Sequence, residues 1–70
     1  MKTVAAVHTG VLMVDLVKTL FTELLPDVRL LNIVDDSVVP EAVQAGKVTP
    51  AIAKRLIGYY FAGIDAGADI

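Results

Sequence analysis

The groups in this chain that could do chemistry fall in two short stretches, His8-Thr9-Gly10 and Asp35-Asp36-Ser37. His8 is the only histidine, and imidazole is the side chain that ordinarily titrates near neutrality. It suits a general base or a hydrogen-bond donor to a substrate carboxylate, and equally a turn residue that holds loop backbone. Thr9 and Gly10 offer a hydroxyl and unhindered backbone N–H groups, which suit an anion; Thr9 equally suits the N-cap of a following helix. Asp35 and Asp36 are paired carboxylates. Such a pair suits Mg²⁺ or acid and base work, and it equally suits a solvated turn with Asp36 or Ser37 as a local cap. Tyr59, Tyr60 and Phe61 fall at helical positions and read as packing residues.

Composition removes several classes of chemistry. There is no cysteine, so no disulfide, thiolate nucleophile or thiolate metal site is available. One histidine does not make a metal cluster, and no metal is expected. The 6 Lys and Arg are scattered and the net charge is -2, which does not suit a nucleic acid backbone. The 70 residues allow one small domain. Apolar residues make up 56% of them and the mean hydropathy is +0.69, above the usual apolar share of about 45–50%. The uncharged runs fall short of the roughly 18–20 residues that a membrane span needs. The stretch after Lys2 lacks the cleavage pattern of a signal peptide. No membrane partner is expected, and the expected location is cytoplasmic. The apolar excess fits an α/β core, whose parallel strands are apolar on both faces.

These groups need elements to position them. Val4–Val7 reads as a strand, His8–Gly10 as a turn and Val11–Leu25 as a long helix. In that helix Asp15, Lys18, Thr19, Thr22 and Glu23 make one narrow polar stripe. The rest of its surface is expected to be buried, against a sheet and a neighbouring helix or subunit. Pro26 and Asp27 stop it. Arg29–Val34 reads as a second strand, and so short a return implies a right-handed crossover to a parallel neighbour. Both chemical stretches then lie outside strand carboxyl ends, where parallel sheets place their ligands.

The remainder alternates in the same way. Pro40–Ala45 reads as one helical turn, closed by Gly46 at C′. Thr49 as N-cap and Pro50 at the first position open a helix that runs to about Ala66, with Gly67 as its stop. Ile52, Leu56, Tyr59 and Gly63 share one face of it, and Gly58 and Gly63 suit close packing. Ala68–Ile70 reads as the opening of a third strand. The expected class is α/β: the parallel βαβαβ start of a doubly wound sheet, truncated at the third strand, belonging to the N-terminal piece of a longer protein.

The string Ile-Val-Asp-Asp (Ile33–Asp36) resembles the acidic pocket of receiver domains. That family places the pair after its first strand, directly before a helix; here it follows the second strand and runs into Ser-Val-Val-Pro. A longer ordered set resembles the aspartate/glutamate/hydantoin racemase superfamily. It comprises a first strand ending Val-His-Thr (Val7–Thr9), a long apolar helix, a second strand ending Asn-Ile-Val-Asp-Asp-Ser (Asn32–Ser37), and Thr49–Ile70 with its Thr-Pro start, Tyr-Tyr pair and Ala-Gly-Ala-Asp-Ile close.

The resemblance covers essentially the whole chain and implies one of two flavodoxin-like lobes facing a cleft. Each lobe of such an enzyme supplies one cysteine. One takes the α-proton of an amino acid or related carboxylate, and the other returns a proton to the opposite face, with no cofactor. The first cysteine sits just past the third strand, so these 70 residues are expected not to racemise anything by themselves. By position, His8, Thr9, Gly10, Asp36 and Ser37 are the implied substrate-binding residues, with His8 assisting. The first loop departs from the family: glutamate racemases carry Asp-Ser there, hydantoin racemases an Asn-Pro-Asn-Thr-like stretch, and this chain His8-Thr9. The substrate stays open, and decarboxylases and isomerases of related fold use the same frame. The competing expectation is a non-catalytic α/β module whose apolar helices form an oligomer interface. A homo-oligomer is expected on either reading.

Overall fold

Two apolar stretches pair as parallel strands and fix the frame. The computed structural model describes all residues, Met1–Ile70. In chain order it contains β1 (Lys2–His8), α1 (Val14–Leu24), β2 (Val28–Val34), α2 (Val38–Ala45) and α3 (Pro50–Asp65). β1 and β2 run parallel, in register from Lys2 opposite Val28 to His8 opposite Val34. The Asp35 N–H then donates to the His8 carbonyl at 2.9 Å. The loops after the two strands therefore start side by side.

Alternation along the strands separates two faces. On one lie Thr3, Ala5, Val7, Leu31 and Ile33. α3 covers this face so closely that a Cβ on Gly63 would lie 2.7 Å from the Ala5 Cβ. Glycine is what permits that approach. Ile52 and Gly63 of α3 are buried, with Leu56 and Tyr59 half-buried between them, as the shared face in the sequence implies. Gly58 has open space where a Cβ would stand, so the expectation of close packing holds for Gly63 and fails for Gly58. α1 lies over the opposite face, where Phe21 and Leu25 line a concavity with Val28 and Leu30.

Local signals set most of the boundaries. Thr49 caps α3 by accepting from the Ile52 N–H at 3.2 Å, with Pro50 in its first turn. Gly46 ends α2 at φ 74° and Gly67 follows α3 at φ 103°, both in the left-handed region that favours glycine. α2 has 8 residues rather than the single turn expected. α1 begins at Val14, not Val11; Met13 stands at its N-cap position and makes no capping bond. His8 completes β1 instead of opening the turn.

The expected third strand is not formed. Ala68–Ile70 instead lie along the free edge of β1 in irregular backbone, where the Thr3 carbonyl accepts from Asp69 at 2.7 Å and the Ala5 N–H donates to the Ile70 carbonyl at 2.7 Å. The Thr3 N–H donates to the Asp69 carboxylate at 2.9 Å, so both backbone groups of buried Thr3 are satisfied.

The core is thin. Val38 and Ile52 are its buried hydrophobic residues. α1 was expected to bury everything but one stripe, yet it contains no buried residue. A two-stranded sheet is too narrow to cover the whole apolar arc of a helix, and nothing packs against α1's far flank. The Cα extents of 40 × 24 × 12 Å and radius of gyration of 13.5 Å describe a narrow slab; a compact domain of this length has a radius of roughly 11 Å. No helix is long and apolar enough to cross a membrane.

Candidate functional site at the carboxyl edge of the sheet

Residues 9–13 form the loop after β1, and His8 stands at its root. The His8 Nε2 lies 2.9 Å from Asn32 Oδ1 on the neighbouring strand. An acceptor oxygen there requires Nε2 to carry a proton. In the neutral ring Nδ1 is then an acceptor, and it makes no hydrogen bond within the chain. His8 and Thr9 are half-buried and Gly10 is exposed. Together with Val7, Leu12 and Met13 they line an open concavity of about 420 Å³, the largest of the four on the surface.

Thr9 does not cap α1, because the helix starts five residues later, at Val14. The amides of α1's first turn are therefore displaced from His8–Gly10, and Asp15 already occupies that turn. A carboxylate in a first helical turn meets the positive end of the helix dipole. Any anion at His8–Gly10 would thus rely on the Thr9 hydroxyl, the loop N–H groups and His8.

The second stretch is a closed network. One oxygen of Asp35 accepts from the Ser37 backbone N–H at 2.9 Å and from the Ser37 hydroxyl. The other accepts from the Tyr59 hydroxyl and lies 3.1 Å from Arg55 Nε. Arg55 also reaches Glu41 at 2.9 Å and donates to Ser37 Oγ at 3.3 Å. Arg55 and Tyr59 stand one helical turn apart on α3, so both can meet one carboxylate. Glu41 comes from α2. The network ties the end of β2 to both later helices.

These contacts set the charges. The Ser37 hydroxyl bond, then those of the Tyr59 hydroxyl and the Ser37 backbone, bring the Asp35 pKa down to about 2, outweighing desolvation; Arg55 helps. The bond to Glu41 raises Arg55 further. Tyr59 is raised because its proton is held by Asp35, with desolvation in the same direction. Arg55 Nε is buried, and its N–H is not directed at an acceptor, so its closeness to Asp35 acts as an ion pair rather than a hydrogen bond.

The predicted site residues therefore divide. His8, Thr9 and Gly10 share one concavity. Asp36 is exposed, with its carboxylate free of side-chain hydrogen bonds and ion pairs, and follows Asp35 at the same sheet edge. Ser37 is engaged by Asp35 and Arg55. Asp35 is engaged by Ser37, Tyr59 and Arg55 whereas Asp36 is not, and no three His, Asp or Glu side chains converge as a metal site. Sequence reasoning missed Arg55 and assigned Tyr59 to packing alone. Their four-residue spacing behind an acidic turn was the available signal.

No family model, curated protein or solved structure matches this chain.

Proposed function

We propose that the carboxyl edge of β1 anchors a small carboxylate or amino-acid substrate in a cofactor-independent enzyme similar to the aspartate/glutamate/hydantoin racemases. The observation that carries this reading is His8. Its ring is held by Asn32 at the end of a parallel strand while Nδ1 stays unengaged beside Thr9 and Gly10. Neutral, Nδ1 accepts from a substrate ammonium group or a nearby thiol; protonated, it donates to a carboxylate. Thr9 and Gly10 supply donors for the carboxylate, and Asp36 supplies an acceptor for an ammonium group. A cytoplasmic setting goes with this reading.

The chain itself has no cysteine, so the two-base step is outside its means and anchoring is the role assigned to it. Calorimetric titration with L- and D-glutamate and aspartate tests the reading. Binding is expected for the wild type, lost in His8→Ala and weakened in Asp36→Ala, with the far-UV spectrum unchanged. No binding by the folded wild type, or undiminished binding in both variants, overturns it.

A second reading is a non-catalytic α/β module for assembly. The specific observation in its favour is the exposed apolar surface of α1 and α3.

A further inference from the structure

Asn32 is the polar exception in an apolar stretch of β2. Around it stand Leu30, Leu31, Ile33 and Val34, and asparagine is depleted in strands. Alternation puts Val28, Leu30, Asn32 and Val34 on the face over which α1 lies, so an amide takes a place whose neighbours along the strand are apolar. The hydrogen bond its side chain makes within the chain is the one to His8.

Register explains why the two side chains meet. Asn32 stands opposite Ala6, and His8 stands opposite Val34. His8 and Asn32 are thus diagonal neighbours on one face, and Ala6, the residue opposite Asn32, carries only a methyl group.

The chemistry of the amide decides what the contact does. The His8 Nε2 N–H donates to Oδ1 at 2.9 Å, so Nδ1 of the neutral ring keeps its lone pair. A carboxylate in the same place would accept that proton equally well, but it would also favour the imidazolium, whose Nδ1 carries a proton. A neutral acceptor orients the ring without charging it. The concavity that His8 lines with Thr9 and Gly10 has no Lys, Arg, Asp or Glu in its wall, so no ionised group there reverses the choice.

We propose that Asn32 is a positioning residue: it holds His8 in the neutral form protonated at Nε2 and reserves Nδ1 for a hydrogen donor on the ligand. The assignment rests on His8 as the anchoring group. It makes the ammonium group the part of an amino acid that His8 meets, with the carboxylate left to Thr9 and Gly10.

The nitrogen spectrum of the free protein tests the positioning without any ligand. His8 is the only histidine, so both imidazole signals are its own. At about pH 9, above the ordinary imidazole value of roughly 6.5, the wild type is expected to show Nε2 protonated and Nδ1 unprotonated. In Asn32→Leu, which suits the strand, the two shifts are expected to move toward each other as tautomers mix. In Asn32→Asp, which restores an acceptor, they are expected to stay apart. An unchanged spectrum in Asn32→Leu, or a wild-type proton on Nδ1, overturns the proposal.

Calorimetry with L-glutamate near neutrality separates this role from the anchoring reading. Asn32→Leu is expected to bind about five-fold more weakly than the wild type, the loss of one ordinary hydrogen bond. Equal binding by the two overturns the positioning role and leaves anchoring in place. No binding by the wild type, with a tautomer that still answers to Asn32, overturns anchoring and supports the hold of Asn32 on the ring.

Discussion

Tyr59 on α3 donates its hydroxyl to the carboxylate of Asp35 at the end of β2. The helix that packs on one face of the sheet is thereby fastened to the edge from which the candidate binding loops leave. Arg55, on the same helix, adds its ion pairs with Asp35 and Glu41, while Ile52 and the contact of Gly63 with Ala5 hold the packed face.

Tyr59→Phe and Asp35→Asn should both lower the melting temperature, Asp35→Asn by more. The first removes one donor, whereas the second also weakens the attraction to Arg55 and the bonds from Ser37. Thermal melts by circular dichroism check the order; a Tyr59→Phe variant as stable as the wild type would count against the tie.

Acid should weaken the same contact. The folded pKa of Asp35 is depressed to about 2, below the unfolded value of about 3.9. Its contribution is therefore complete above the unfolded value and is lost as pH falls through the folded one. The stability gap between wild type and Asp35→Asn should be constant near neutrality and close between about pH 4 and pH 2. Melts across that range measure it; a gap unchanged at pH 2 would contradict it.

The base side follows the opposite sign. The Tyr59 phenol is raised above its ordinary value by its bond to Asp35, so that bond stabilises fully below the unfolded pKa and fades as pH rises through the higher folded value. In Tyr60→Phe, where Tyr59 is the remaining tyrosine, the phenol absorbance should titrate later than in the unfolded chain. Adding Asp35→Asn should move it back.

Two glycines of α3 should respond in opposite directions. Gly63→Ala places a Cβ 2.7 Å from the Ala5 Cβ and should cost about 1–3 kcal/mol as overpacking. Gly58→Ala meets nothing within 4 Å and should stabilise by up to about 1 kcal/mol through helix propensity. Denaturant midpoints separate the two. Restoration of the Gly63→Ala loss by Ala5→Gly would identify the clash as its cause.

The parts of the fold legible in the sequence are those with local causes. Thr49 and Pro50 announced α3, Gly46 and Gly67 announced left-handed stops, and the short return through Pro26 announced a parallel pair. The start of α1 was not legible, because Val11–Met13 continue its apolar pattern without a break, although the helix begins at Val14. Its exposure was not legible either: periodicity shows that an apolar face exists, not what covers it. That His8–Gly10 lie together at the carboxyl edge of β1 could be read from chain order. The Asp35–Tyr59–Arg55 network joins residues separated by up to 24 positions, and tertiary packing alone brings them together.

The most direct measurement for substrate anchoring is the nitrogen spectrum of His8, the only histidine, recorded at fixed pH during titration with L-glutamate, with butylamine and acetate as single-charge controls. A saturable shift at His8 Nδ1, accompanied by the Thr9 and Gly10 amides and stronger for glutamate than for either control, is the expected result. An Nδ1 signal that stays still, or that answers all three compounds alike, would contradict a substrate-anchoring role for this edge.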